Sequence, residues 1–167
     1  MKSSVFKKEN ILKKIIMVST NNTCRSFIAE SLLRQYLLDA HQKNVEVISR
    51  GLVVLFPEPV HVKAADMVIH KCGIESLDFQ SAQLTQEEVE ASDLILTMTE
   101  EQKEKILEEY HGYKEIATLN EYARVEGAII DPYGMEDDDY ERCFDQIARL
   151  VKKIWEERLG GNEMIGI

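Results

Sequence analysis

Short apolar runs, each followed by a stretch with helical spacing, constrain this chain more than any other feature. Ile15-Ile16-Met17-Val18 places apolar side chains at consecutive positions, so a strand built from it must be buried on both faces, as in a parallel sheet. Ile28, Leu32, Leu33, Tyr36 and Leu37 then recur at helical spacing. Val45-Glu46-Val47-Ile48 predicts a second strand, and Val60 to Lys71 a helix that stops before Gly73. Asp93-Leu94-Ile95-Leu96-Thr97 predicts a third strand, Glu100 to Tyr110 a charged amphipathic helix, and Glu115 to Leu119 a fourth strand. Phe144, Ile147, Val151, Ile154 and Leu159 mark the apolar stripe of a C-terminal helix. Such alternation predicts the α/β class: a single three-layer domain with a central four-stranded parallel sheet and helices on both faces.

A chain of 167 residues without repeats or long linkers fits one domain with its own core. Residues 1–13 read as a short basic N-terminal extension, 14–160 as the folded domain and 161–167 as a C-terminal tail. The net charge of -10 argues against a protein built to coat nucleic acid or an anionic membrane. An anionic ligand must therefore be held by a local arrangement. Cys24, Cys72 and Cys143 form no Cys-x-x-Cys pair and no metal-ligand cluster, so no metal, cofactor or disulfide framework is expected. Reduced thiols in the cytoplasm are the natural reading. No apolar run approaches the roughly 20 residues that cross a bilayer, and Lys7, Lys8, Glu9 and Asn10 interrupt any signal-peptide core.

The segment after Val18 carries the functional reading. In an open α/β sheet, ligands bind beyond the carboxyl ends of the strands, where a loop enters a helix. Ser19-Thr20-Asn21-Asn22-Thr23-Cys24-Arg25-Ser26 occupies that place. Inward-turned backbone N–H groups and the N-terminus of the helix beginning near Ser26 would offer donors and a favourable dipole to an anion. Arg25 adds a fork of donors for two phosphate oxygens. Asn21 and Asn22 suit such a loop because asparagine tolerates left-handed backbone angles. Taken alone, a polar stretch of this kind is most often only a connector.

Its context narrows the choice. Ile15 to Glu30 resembles the signature of the low-molecular-weight protein-tyrosine phosphatases, a Cys-x5-Arg-Ser loop between an apolar strand and a helix. Ser49-Arg50-Gly51, Leu84-Thr85, Ser92 to Thr99 and Asp131-Pro132-Tyr133-Gly134 match in the expected order. The resemblance spans about residues 14 to 159 and implies a phosphatase-like domain acting on phosphorylated proteins. In that family the loop cysteine attacks phosphorus as a thiolate, and the phosphocysteine is then hydrolysed. The resemblance implies that Thr20, Asn21, Asn22, Thr23, Cys24, Arg25 and Ser26 bind phosphate, that Asp131 is the general acid, and that Ser26 hydrogen-bonds the nucleophile. The nucleophile position falls on Ser19.

Departures from the family pattern follow. Asn21 replaces a glycine, a soft change, and Phe27 replaces a proline at the first helical position. Ser19 differs in kind, because a serine hydroxyl is far less acidic than a thiol and needs an adjacent base. His41, His61, His70 and His111 form no recognisable serine-hydrolase arrangement in the sequence. Turnover is therefore expected to fall by several orders of magnitude while phosphate binding survives. Cys24 reads as a packed bystander whose family redox partner is missing; Cys72 and Cys143 read as core residues. Thr23 resembles the threonine of bacterial protein-arginine phosphatases within the family, which leaves phosphotyrosine and phosphoarginine both open. Leu52 to Phe56 reads equally as an apolar rim or as cover for the core, and Glu136 to Asp139 as the acidic first turn of the last helix. Three readings remain: a pseudophosphatase that binds phosphoproteins, a family enzyme whose nucleophile was exchanged to trap substrate, and a scaffold that has lost the site. Asn21 and Phe27 beside Ser19 weigh against the second, since trapping needs neither. Oligomeric state is left open.

Overall fold

Consecutive apolar residues at 15–18 are accommodated by placing their strand in the middle of a sheet. In the computed structural model, which describes residues 13–74 and 78–160, β1 (Lys13–Ser19) pairs in parallel with β2 (Val45–Gly51) on one side and β3 (Leu94–Thr97) on the other. β4 (Ile116–Thr118) completes the order β2-β1-β3-β4, all parallel. The predicted N-terminal extension, apart from Lys13, and the predicted tail at 161–167 lie outside the described residues. Lys13 itself opens β1 opposite Val45.

The helices are α1 (Arg25–Asp39), α2 (Val62–Cys72), α3 (Gln86–Ala91), α4 (Glu100–Glu109), α5 (Leu119–Ala123) and α6 (Asp137–Ile154), the last widening into a π-helical turn at Trp155–Leu159. Side-chain alternation along β1 divides the core into its two halves. Ile15 and Met17 face a cluster that includes Ile28 and Leu33 of α1, Val68 of α2 and Ile147 of α6. Ile16 and Val18 face the other way, against Leu84, Val89 of α3 and Ile106 of α4. The result is the three-layer α/β architecture with a four-stranded parallel sheet.

Element ends differ slightly from the sequence expectation, and side-chain capping accounts for most of it. The fourth strand stops at Thr118 because its hydroxyl accepts from Glu121 N at 2.9 Å while Glu121 Oε1 accepts from Thr118 N at 2.9 Å. This Thr-x-x-Glu capping box starts α5 at Leu119. α2 begins at Val62 rather than Val60, since the imidazole of His61 accepts from Lys63 N at 3.2 Å. It ends at Gly73, whose φ of 65° suits glycine. Asp93 lies just ahead of β3, its carboxylate accepting from Lys14 N at 2.9 Å.

This topology fixes where a ligand can sit. The chain leaves β1 for β2 on one side and then crosses to β3 on the other, so the carboxyl end of β1 is the switch point of the sheet. Ser49 Oγ donates to the buried Glu30 at 2.6 Å, and Arg34 pairs with the same carboxylate at 2.7 Å while donating to Val47 O, tying α1 to β2 beneath that point. Among the described residues, no helix is long and apolar enough to cross a membrane.

Candidate functional site

Ser19 is the last residue of β1 and is buried, 3% exposed. Its hydroxyl oxygen lies 2.6 Å from Ser26 Oγ and accepts from Asn22 N at 3.2 Å. Asn22 organises this corner: its Nδ2 donates to Ser26 Oγ at 2.9 Å, and its Oδ1 accepts from Ala82 N at 3.0 Å. Because Ser26 Oγ already accepts from Asn22, its own hydrogen is free to donate to Ser19. Ser19 Oγ is thus placed to receive donors from two sides, and with Ser26 donating, the corner favours negative charge on that atom. Asn22 has a φ of 61°, whereas Asn21 does not share the left-handed backbone and is exposed. Left-handed tolerance is needed at only one of the two asparagines singled out in the sequence.

Arg25, the first residue of α1, is buried, and its Nη1 donates to Ile129 O at 2.9 Å. Its Nη2 lies 3.6 Å from Asp131 Oδ2, and that carboxylate is about half exposed. Asp131 also accepts from Tyr133 N at 3.1 Å, an Asx turn that shapes the Asp-Pro-Tyr-Gly segment. Ser19, Asn21, Asn22, Thr23, Cys24, Arg25 and Asp131 line one cleft, together with His61, Tyr133 and Tyr140. Thr20 faces the adjoining wall, where Gln102 Nε2 donates to its hydroxyl at 3.1 Å.

The loop is held from outside. Leu52 N donates to Ser19 O and Val53 N to Thr20 O, each at 3.0 Å, and His61 N donates to Thr23 O at 2.8 Å. Gly51 lies so close that a Cβ there would stand 2.9 Å from Thr20 O and 2.5 Å from Val54 Cγ2. Phe27 is buried in the first turn of α1 with its ring 4.7 Å from that of Phe79, which explains a large aromatic residue where the family pattern has proline. Leu52 to Phe56 divides its duties: Leu52 enters the core, while Leu55 and Phe56 are 83% and 76% exposed. Asp137 to Asp139 form the acidic first turn of α6, and Asp137 also pairs with Lys63 at 2.6 Å.

Cys24 sits in the cleft at the N-cap of α1, beside Cys143 of α6. A hydrogen bond shared with the Cys143 thiol, together with burial, pushes the Cys24 pKa up, so it stays a protonated thiol and a poor nucleophile. The sequence did not foresee this pairing, because nothing in the spacing of positions 24 and 143 shows that α6 crosses the start of α1. His61 and Tyr140 were missed as cleft residues for the same reason. Gln102 had a readable local signal in Thr99-x-x-Gln, a capping pattern.

Most of the chain has counterparts among known proteins. Residues 14–163 match the family model for low molecular weight phosphotyrosine protein phosphatase. The low molecular weight protein-tyrosine-phosphatase PtpB of Staphylococcus haemolyticus is 32% identical over 142 residues, which is 84% of this chain and 96% of that protein. A low molecular weight protein tyrosine phosphatase from T. tengcongensis superposes with a TM-score of 0.80 at 29% identity, covering 87% of this chain and 99% of the other. The YwlE arginine phosphatase, as a cysteine-to-serine mutant with a phosphorylated active-site serine, gives 0.81 at 31% identity, covering 91% and 99%. Fold, loop and sequence agree across nearly the full length: this chain belongs to the low molecular weight phosphotyrosine protein phosphatase family, with Ser19 at the position of its nucleophilic cysteine.

Proposed function

We propose that this protein recognises phosphorylated side chains of proteins, phosphotyrosine or phosphoarginine, in a cradle formed by residues 19–26, and turns them over far more slowly than a cysteine enzyme. The observation that carries this reading is the convergence of Arg25 and Asp131, 3.6 Å apart, on a cleft that Ser19 also lines. Arg25 neutralises and orients the phosphoryl oxygens, with the loop from Thr20 to Ser26 around them. Asp131 is the acid that protonates the leaving oxygen or nitrogen. Cytoplasmic residence accords with three free cysteines.

The serine defines the chemistry that is left. Attack by Ser19 Oγ on phosphorus forms a phosphoserine and breaks the bond to the leaving group, which takes a proton from Asp131; the serine proton passes to water. A serine alkoxide is a poor leaving group, so release of that phosphoryl group is slower still. The phosphorylated active-site serine of the YwlE mutant supports this order of events. Thr23 in the cleft wall favours phosphoarginine, as does the similarity to an arginine phosphatase, whereas similarity to PtpB favours phosphotyrosine.

Calorimetric titration with peptides bearing each phosphorylated residue, followed by intact-mass measurement, tests the proposal. Binding of one peptide, its loss in Arg25→Ala, and slow gain of a phosphoryl group on Ser19 are expected. No binding of either peptide would overturn the reading and leave a scaffold role. Rapid multiple turnover would overturn the assignment of Ser19 as a brake.

A further inference from the structure

His61 and Tyr140 lie in the cleft and have no part in the chemistry above. Tyr140 is a buried phenol, 3% exposed, on the second turn of the helical segment that follows the Asp131 loop. Its ring stacks on the His61 imidazole at 5.1 Å and 17°, and His61 meets Tyr133 edge-on at 6.4 Å. His61 is also bonded to the cradle, through its backbone N–H to Thr23 O at 2.8 Å. The pair therefore bridges the phosphate loop and the acid loop.

Hydrogen-bond accounting assigns the protons. His61 Nδ1 accepts from Lys63 N at 3.2 Å, so the neutral ring carries its hydrogen on Nε2. Nε2 lies 3.4 Å from the Tyr140 hydroxyl, close enough for that hydrogen to be offered to the phenol oxygen. A phenol oxygen placed to accept from His61 keeps its own hydrogen for another partner. Burial pushes the phenol pKa up, so that hydrogen is retained throughout the physiological range. The cleft around it offers Asp131 and, when occupied, the oxygens of a phosphoryl group.

We propose that the Tyr140 hydroxyl is a further donor to the bound phosphate and that His61 is the positioning residue that aims it. The proposal rests on the cradle reading and assigns the cleft a neutral donor opposite the cationic one. It also gives His61 two separable duties, because Nδ1 caps α2 and Nε2 orients Tyr140. Asparagine can reproduce the first and glutamine the second.

The test is calorimetric titration of inorganic phosphate into the full chain and its variants, with thermal melts alongside. Tyr140→Phe, which keeps the ring and its stacking, is expected to weaken phosphate binding about tenfold, the loss of one hydrogen bond to a charged acceptor. His61→Gln should bind nearly as the parent does, and His61→Asn nearly as weakly as Tyr140→Phe. Combining His61→Asn with Tyr140→Phe should add nothing further. Unchanged affinity in Tyr140→Phe, with the parent binding phosphate and Arg25→Ala not, would overturn this inference and leave the cradle reading standing. Rescue by asparagine but not glutamine would also overturn it, by showing that His61 serves only as a helix cap. A parent chain that binds no phosphate overturns both. Should Tyr140→Phe lose its cooperative melt, the glutamine and asparagine pair decides alone.

Discussion

Replacing Ser19 by cysteine should raise phosphate-ester hydrolysis by orders of magnitude, and the size of the effect can be worked from the corner around that residue. Two groups can donate to an anion at the side-chain atom: Asn22 N at 3.2 Å and Ser26 Oγ at 2.6 Å. A hydrogen bond to a charged group contributes about 1.5–3 kcal/mol, so the pair favours an anion there by about 3–6 kcal/mol, or about 2–4 pKa units. For a thiol that starts near pH 8.5, a shift of about this size yields thiolate at neutral pH. A serine hydroxyl starts several units higher, and the same donors leave it protonated. The resulting difference in barrier is on the order of 4–8 kcal/mol, about a thousandfold to a millionfold in rate. Hydrolysis of p-nitrophenyl phosphate by Ser19→Cys beside the parent, with phosphate affinity measured for both, is the assay. Equal and negligible rates, with phosphate bound equally by both, would show that the donors at this corner do not activate the side chain. A parent within about tenfold of the cysteine variant would refute the barrier estimate itself.

Other perturbations follow from the same geometry. Gly51→Ala drives a Cβ to 2.9 Å from Thr20 O and 2.5 Å from Val54 Cγ2; a loss of about 1–3 kcal/mol in denaturant unfolding is expected, with weaker phosphate binding by calorimetry. Asn22→Ala loses the side-chain bonds to Ser26 and Ala82 and places a Cβ-branched-free but non-glycine residue at a φ of 61°, so about 2–4 kcal/mol of stability should disappear, whereas Asn22→Gly should recover the backbone part alone. Cys24 keeps its proton in the folded chain while the unfolded chain releases it above about pH 9. The stability it contributes is complete below that pH and falls as pH rises; the alkaline slope of the melting temperature should be shallower in Cys24→Ser, and an unchanged slope would refute the assignment.

What the sequence revealed depended on how local the determinant was. β1 was readable because four successive apolar residues permit only a strand buried on both faces, and α6 because its apolar stripe is regular. Ser19, Arg25 and Ser26 were readable as neighbours because they lie in one continuous segment. Asp131 could be placed only through the family resemblance, since no local pattern tells that the segment holding it folds back to within 3.6 Å of Arg25. His61, Tyr140 and Cys143 were legible as elements of helices but not as neighbours of the cleft. Their roles arise from how α1, α2 and α6 cross, which depends on packing across the whole domain.

The outer bracing of the loop has a consequence for signalling. Carbonyls of Ser19, Thr20 and Thr23 are each engaged by backbone N–H groups of Leu52, Val53 and His61, and the Asn22 amide is engaged by Ala82. Under the proposed reading, a loop braced in this way would need little ordering to receive a phosphate and would show little backbone movement on filling. A third molecule that senses occupancy would then have to read the bound ligand itself rather than a movement of the loop.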